Sequence, residues 1–207
     1  ASAVKTITVT VNPRIEQLNK VPTIKAEDKV LQVGDEFNPL AGVTAEDDED
    51  GKIVLTEANI IKNTVNMKEA GTYEVTVDVA EGTNYKEETG IRLGSYTIKP
   101  AEVTVTIDNK TSVYGEDLKE LTSNVTEGTV IEGDDLGIAL TKAEGTTVGE
   151  YAITGTASNT NYNVTFVEGT YTITARDVTV TIEDKTSVYG EDLKELTSNV
   201  TSGNIVN

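Results

Sequence analysis

The feature that most constrains the fold is a long segment that occurs twice. Residues 103–126 (VTVTIDNKTSVYGEDLKELTSNVT) recur at 178–201, 75 positions further along the chain, with changes only at Asp108/Glu183 and Asn109/Asp184. A tandem duplication of this fidelity predicts repeated modules, each a compact unit. We therefore expect an array of small units rather than one large domain.

The alternation of apolar and polar residues predicts that these units are built from strands. Runs such as 5–11 (KTITVTV) and 103–107 (VTVTI) alternate Thr with Val or Ile, which is the pattern of a half-buried strand. Each module contains several such runs separated by Gly, Asn and Asp, as in all-β sandwiches and barrels. The predicted fold class is all-β, with tandem Ig-like β-sandwich modules in an elongated rod. For the second module a β-grasp-like fold remains an alternative, because of its short EGDDL turn.

Aligning the modules with one another sets their expected boundaries. Residues 33–40 (VGDEFNPL) align with 114–121 (YGEDLKEL), and 70–77 (AGTYEVTV) align with 148–155 (VGEYAITG). The predicted order is the closing strand of a preceding module at 1–12, a linker at 13–20, an Ig-like module at 21–100, a second β module at 101–176 and an incomplete third module at 177–207. The joints contain almost no Gly or Ser, which predicts stiff connections.

Within the aligned turns, the same residues recur in the same order. Gly34 and Gly115 each precede two acidic residues and then an apolar one, Phe37 or Leu118. Glycine at this place predicts a turn with positive φ. We expect Phe37 and Leu118 to enter the cores of their modules.

The composition excludes several classes of function. The 207 residues contain no His and no Cys, and the formal net charge is −18. Catalysis by Ser-His-Asp or Cys-His groups is therefore excluded, as are thiolate metal sites. The acidic surface argues against nucleic acid and anionic membranes as partners. No stretch approaches the roughly 20 apolar residues of a membrane span, so we expect no membrane insertion.

The modules also resemble known families. The second module, with VYGEDLKEL, EGDDL, VGEYAITG and GTYTIT, resembles the MBG repeat of the Tyr-Gly-x type found in bacterial surface proteins. The first, with VGDEFNPLAGVTAEDDEDGKI and AGTYEVTV, resembles the bacterial Ig-like repeats of Gram-positive cell-wall proteins. These resemblances imply an extracellular, cell-wall-anchored, multi-domain protein.

One acidic stretch matches a calcium-loop pattern. In AEDDEDGKIVLTE, the carboxylates that would bind calcium are Glu46, Asp48, Asp50 and Glu57, and clustered carboxylates on a tight turn suit this ion. The first position is Glu rather than Asp, and Val54 occupies a position that usually offers oxygen. The alternative is an acidic, solvated turn between two strands, which needs no cofactor.

Other candidate residues are expected to have structural roles. Tyr114 and Tyr189 begin the repeated YGED and could stack on sugars, but a Tyr at a strand end usually packs its ring on the core. The group Glu132, Asp134 and Asp135 is expected to form a turn or cap. Adjacent carboxylates such as Glu116 and Asp117 do not face each other across a cleft, so we expect no glycosidase and no enzyme.

Two functions remain open on this evidence. The chain could be a structural stalk or spacer, with neighbouring repeats of the same chain as its contacts. Alternatively, the modules themselves could bind glycans or host proteins through a loop or an exposed strand edge. A third idea is that the terminal strands lack partners, so that 5–11 of one molecule could pair with 178–207 of another.

Overall fold

The computed structural model describes residues 20–206. The predicted closing strand at 1–12 and almost all of the predicted linker at 13–20 lie outside the described residues. The chain divides into two compact units, of which the first is made mainly from residues up to 98 and the second mainly from residues 99 onward. Among the described residues, no helix has the length and the apolar character that a membrane crossing would need.

The first unit contains two β-sheets. One sheet has the antiparallel order β1-β3-β4, and the other has the order β2-β7-β6-β5. A short 3-10 helix, Glu57–Asn59, precedes β5. The strands are β1 (Thr23–Lys25), β2 (Lys29–Gln32), β3 (Thr44–Asp47), β4 (Gly51–Ile53), β5 (Ile60–Asn63), β6 (Gly71–Val79) and β7 (Glu88–Lys99).

Alternation along β6 and β7 builds the core of the first unit. Val75 and Val77 are fully buried because every second side chain of a strand points to the same face. Leu93 and Tyr96 of the neighbouring strand are also fully buried, and the irregularity in the β6–β7 register between them lets residues three apart face the same core. Phe37 packs edge-on against Tyr96, with ring centroids 5.5 Å apart and an interplanar angle of 87°. Such edge-to-face pairs add roughly 0.5–1.5 kcal/mol beyond the area that they bury.

The second unit contains a three-stranded and a four-stranded sheet of its own. Their orders are β10-β8-β13 and β11-β12-β14-β9. In each sheet one pair is parallel, namely β8 with β13 and β9 with β14. The strands are β8 (Ala101–Ile107), β9 (Lys110–Val113), β10 (Ser123–Glu127), β11 (Ala139–Lys142), β12 (Gly149–Thr156), β13 (Tyr162–Val167) and β14 (Gly169–Thr174).

The two sheets of this unit share an apolar core. Val103 and Val105 belong to one buried cluster, and Ile153 and Tyr171 belong to another. Phe166 packs against both clusters and so joins the two sheets. A β-grasp would need a helix across its sheet, whereas residues 20–206 form strands, turns and one 3-10 helix. The all-β prediction is confirmed, and the second unit has the sandwich arrangement rather than the β-grasp alternative.

The second copy of the repeated segment forms only a hairpin. Strands β15 (Thr179–Ile182) and β16 (Ser198–Ser202) pair in antiparallel fashion. This hairpin reproduces the pairing of β8 with β10, since Ile182 is opposite Ser198 just as Ile107 is opposite Ser123. Every residue of β15 and β16 is exposed.

The two aligned glycine turns form as predicted, but the core assignment is only half right. Gly34 and Gly115 have φ values of 90° and 83°, which glycine tolerates without a Cβ clash. Phe37 packs against the first core, whereas Leu118 is 49% exposed and Leu121 packs against the second core in its place. After Gly115 the chain stays at the surface for residues 116–120 before it turns inward.

Candidate functional sites

The predicted calcium stretch forms the β3–β4 hairpin of the first unit and the segment after it. Ala45 and Asp47 of β3 are buried, while the alternate residues Thr44 and Glu46 are exposed. The acidic residue that points inward is therefore Asp47, which the calcium pattern passes over. Strand alternation in the sequence could have identified Asp47 as the inward-facing acid, since it lies two residues after the apolar residue Ala45.

Asp47 closes the hairpin turn with its own carboxylate. Its Oδ2 accepts hydrogen bonds from the backbone N–H groups of Glu49 at 2.9 Å and Asp50 at 3.1 Å. This is the local side-chain-to-backbone bonding that favours Asp in turns. Burial raises the pKa of the Asp47 carboxyl, but the hydrogen bonds that it accepts, led by those from the backbone of Glu49 and Asp50, together hold that pKa below its ordinary value.

Two of the four predicted calcium ligands bond to residues outside the hairpin. Asp48 forms an ion pair with Lys20 at 3.4 Å, and both side chains are largely exposed, so the pair contributes little stability. The Oδ1 atom of Asp50 accepts a hydrogen bond of 2.5 Å from the side-chain amide of Asn84. These two carboxylates therefore interact with different partners.

The other two predicted ligands lie at separate places. Glu46 is opposite Lys52 in the hairpin register, and Glu57 begins the 3-10 helix. Among residues 20–206, no group of three or more acidic side chains is close enough to hold a metal ion. The calcium site stays a prediction from the sequence.

The two YGED tyrosines have different environments. Tyr114 is partly buried against the second core, as expected for a tyrosine at a strand end. Tyr189, which has the same neighbours in sequence, is fully exposed. Identical local sequence thus leaves the environment of this tyrosine undetermined.

The EGDDL segment forms a turn, as predicted. The side chain of Asp135 accepts a hydrogen bond of 2.8 Å from the N–H of Gly137. Asp134 accepts one of 2.7 Å from the hydroxyl of Tyr162, and that hydroxyl in turn accepts the N–H of Ile131 at 3.0 Å. Burial and the Asp134 carboxylate both raise the pKa of the Tyr162 hydroxyl. The acidic group therefore holds this loop to β13.

A matching tyrosine in each unit ties the closing strand to the loop after the glycine turn. The hydroxyl of Tyr96 donates to the carbonyl of Pro39 at 2.9 Å. At the aligned position, the hydroxyl of Tyr171 accepts the backbone N–H of Lys119 at 2.7 Å. Both tyrosines are fully buried. The shared sequence motif YTI marks both tyrosines, but only the structure shows the loop group to which each hydroxyl bonds.

Each copy of the repeat also has an acidic residue that bonds to the second strand of its hairpin. Glu183 accepts hydrogen bonds from Lys185 at 2.8 Å, Thr197 at 2.5 Å and Asn199 at 2.5 Å. These hydrogen bonds hold the pKa of Glu183 below its ordinary value, and the bond from Lys185 has the largest effect. Asp108 accepts from the equivalent threonine and asparagine of the first copy. The Asp/Glu difference between the copies therefore keeps the threonine and asparagine contacts, while the lysine bonds directly to the carboxylate only in the second copy.

A groove of moderate size lies on the first unit. It has a volume of about 400 Å³ and is lined by Lys29, Leu31, Glu36, Phe37, Asn38 and Ala41. Burial lowers the pKa of the Lys29 ammonium. That ammonium lies 5.6 Å from the ring centroid of Tyr96 and donates to the carbonyl of Ala41, so its contacts are those of a structural residue.

Comparisons with known proteins assign both units. Residues 24–91 match the family model of the bacterial Ig-like domain (group 3). Residues 103–172 match that of the MBG domain (YGX type). The chain therefore contains a bacterial Ig-like domain at 24–91, followed by an MBG domain at 103–172. The order is the one that the two resemblances predicted.

The family assignment describes the kind of protein to which these domains belong. Bacterial Ig-like and MBG domains are non-catalytic repeat modules, and they typically belong to extracellular surface proteins. The arrangement fits a repeat-module segment of such a surface protein. A search of curated proteins found no match to the chain.

Proposed function

We propose that this chain is a structural stalk segment of a bacterial cell-wall-anchored surface protein, where it holds other domains away from the cell. The observation that supports this proposal best is that acidic and aromatic side chains which could have bound a ligand instead form hydrogen bonds that hold the fold together. Asp47 and Asp135 close turns, and Tyr96, Tyr162 and Tyr171 hold loops to strands. Side chains engaged in this way stabilise modules and present few groups to a ligand.

The high negative charge supports the same role. A formal charge of −18 on 207 residues keeps neighbouring molecules apart and the chain soluble. Exposed threonines on many strands, such as Thr72 and Thr141, cover the outer faces of the sheets with polar groups. A spacer needs such a surface because it must remain extended without associating.

Solution scattering of the purified chain tests the proposal. A stalk predicts an elongated particle whose maximum dimension changes little with salt, since stiff joints rather than charge repulsion would keep it extended. A compact particle, or a maximum dimension that collapses when salt screens the charges, would contradict the proposal.

A binding panel tests the alternative that the modules are themselves adhesive. The chain would be exposed to glycans and host matrix proteins, first with calcium and then with chelator. The stalk role predicts no saturable binding under either condition. Saturable binding would instead assign adhesion to the modules, and loss of that binding with chelator would direct attention to residues 46–57.

A further inference from the structure

The groove of about 400 Å³ on the first unit places a lysine beside an apolar wall. Small-molecule sites have volumes of roughly 300–1,000 Å³ and combine apolar side chains with a few polar groups. The groove has this size and this combination. Its polar lining comes from Lys29, Glu36 and Asn38, and its apolar lining comes from Leu31, Phe37 and Ala41.

The apolar wall is held in place by the fold of the first unit. Lys29 and Leu31 are alternate residues of β2 and are both half-buried, because alternate side chains of a strand lie on the same face. Phe37 is fixed by its edge-on contact with the fully buried ring of Tyr96. A ligand would therefore meet a preorganised surface, which reduces the entropy cost of binding.

A hydrogen-bonded turn on the other side of the groove holds the Lys29 nitrogen. The N–H of Ala41 donates to the carbonyl of Asn38 at 3.3 Å, and the N–H of Leu40 donates to Asn38 Oδ1 at 3.0 Å. The carbonyl of Ala41 in turn accepts a hydrogen bond from Lys29 Nζ. This contact is structural, yet a neutral amine can make it as well, because it retains N–H donors. The lone pair of that amine remains available to another partner.

The surroundings of Lys29 also favour the neutral amine. Burial lowers the pKa of its ammonium, because the charged form is less stable away from water. The ring of Tyr96 favours the ammonium, but its centroid lies 5.6 Å from the nitrogen, close to the limit of about 6 Å for this interaction. Desolvated lysines in apolar pockets act as nucleophiles toward carbonyl compounds.

We propose that Lys29 is the reactive amine of a binding site for small, uncharged, apolar aldehydes, which it holds as an imine. The apolar part of the aldehyde would lie against Leu31 and Phe37, and its carbonyl carbon would meet Lys29 Nζ. This binding function goes beyond the stalk role and does not depend on it.

The reaction needs no reactant besides the aldehyde and water. The nitrogen lone pair of Lys29 forms a bond to the carbonyl carbon, and the carbonyl π electrons move to oxygen, which takes up a proton. The resulting carbinolamine loses its hydroxyl group and an N–H proton as one water molecule. A C=N bond then replaces the C=O bond, and nothing is oxidised or reduced.

The charges around the groove select the class of aldehyde. Glu36 lines the groove, and the chain has a formal net charge of −18. An aldehyde with a carboxylate would be repelled by these charges. It would also leave the apolar wall uncovered. An aldehyde with an aromatic or aliphatic group is therefore favoured over an anionic one.

Reductive trapping on the intact chain tests this proposal. Benzaldehyde is the probe, cyanoborohydride reduces each imine to a stable amine, and peptide mass mapping locates the label. We expect Lys29 to be labelled at least about tenfold faster than Lys25, an exposed lysine of β1, because contact with the apolar wall adds to the reactivity of the amine. The labelling rate at Lys29 should saturate with benzaldehyde concentration. Lys29→Arg should remove this fast, saturable phase, and Lys25→Arg should leave it unchanged.

Three further measurements separate the groove from the amine alone. Leu31→Gln, with folding checked by circular dichroism, should slow labelling of Lys29 by about threefold or more, because it makes the wall polar. In denaturing urea, Lys29 and Lys25 should react at equal rates. Glyoxylate, a small anionic aldehyde, should show a smaller preference for Lys29 than benzaldehyde does. The proposal is overturned if folded Lys29 reacts no faster than Lys25, if its advantage persists in urea, or if glyoxylate shows the same preference.

Discussion

Val105 and Val180 occupy the same position in two near-identical segments, yet Val105 is completely buried and Val180 is 54% exposed. Each has an equivalent valine opposite it on the second strand of its hairpin. The difference is the third strand, because Phe166 lies opposite Val105 in the parallel pair of β13 with β8. A strand about 60 residues away in sequence thus determines whether this valine belongs to a core.

This difference predicts unequal effects of the same substitution. Val105→Ala removes two buried methyl groups and should lower the free energy of unfolding of the second unit by about 2 kcal/mol. Val180→Ala should change it by less than about 0.5 kcal/mol. Urea unfolding followed by circular dichroism measures both variants. Equal losses would mean that the third copy is packed in solution.

The buried tyrosine hydroxyls predict a second pair of variants. Tyr96→Phe removes the donor to Pro39 and leaves that carbonyl without this partner, so we expect a loss of about 1 kcal/mol in the free energy of unfolding. Tyr189→Phe is the matched control, since Tyr189 is fully exposed and should be neutral. If both variants unfold at the same urea concentration as the parent chain, the hydrogen bond contributes nothing.

The turn closed by Asp47 predicts a dependence of stability on acid. The pKa of Asp47 in the folded chain is lower than in the unfolded chain. Its contribution is therefore fully present above the unfolded value of about 3.9 and is lost as the pH falls through the folded value. Asp47→Asn should flatten the fall in thermal midpoint below about pH 4. Asp48→Asn, which changes an exposed neighbour, should keep the steep fall of the parent chain. If the Asp47→Asn and Asp48→Asn variants gave identical profiles, this role of Asp47 would be contradicted.

Tyr162 predicts the opposite dependence at alkaline pH. Burial and Asp134 raise its pKa above that of an unfolded tyrosine, about 10. Its contribution is present below that unfolded value and is lost as the pH rises through the folded value. Tyr162→Phe should therefore reduce the loss of thermal stability above about pH 10, measured by calorimetry. A profile as steep as that of the Tyr189→Phe control would show that another group is responsible.

Calcium is expected to leave the first unit unchanged. Asp48 and Asp50 bond to Lys20 and Asn84, and an ion would have to displace these partners to gather its ligands. We expect no shift of the thermal midpoint at about 5 mM calcium, a concentration above the weakest affinities usual for extracellular calcium modules. A shift that Asp50→Ala abolishes would instead establish the predicted site.

The acidic stretch shows where sequence patterns reached their limit. The pattern selected Glu46, Asp48, Asp50 and Glu57 by their spacing, and spacing alone does not specify where side chains point. The hairpin register placed Asp47 inside and Glu46 outside. The buried acid was therefore the one between the selected residues, and strand alternation was the signal that could have found it.

Leu118 and Leu121 show a similar limit within a loop. The alignment of VGDEFNPL with YGEDLKEL correctly predicted both glycine turns but placed the wrong leucine in the second core. Residues after a turn follow no fixed period, so their directions depend on distant contacts such as that of Lys119 with Tyr171. Local sequence carries no information about a partner 52 residues away.

By itself, the sequence determined the all-β class, the two kinds of module, their order and the glycine turns. Residue alternation, turn-forming residues and duplication are visible in the sequence without any knowledge of tertiary contacts. Only the tertiary structure decided which copies of a residue are buried, and Val105 and Val180 show this most directly. Burial depends on strands that arrive from elsewhere, as β13 and β14 do for β8 and β9. Two segments that differ at two positions can therefore have the same hairpin, with one inside a core and the other an open face.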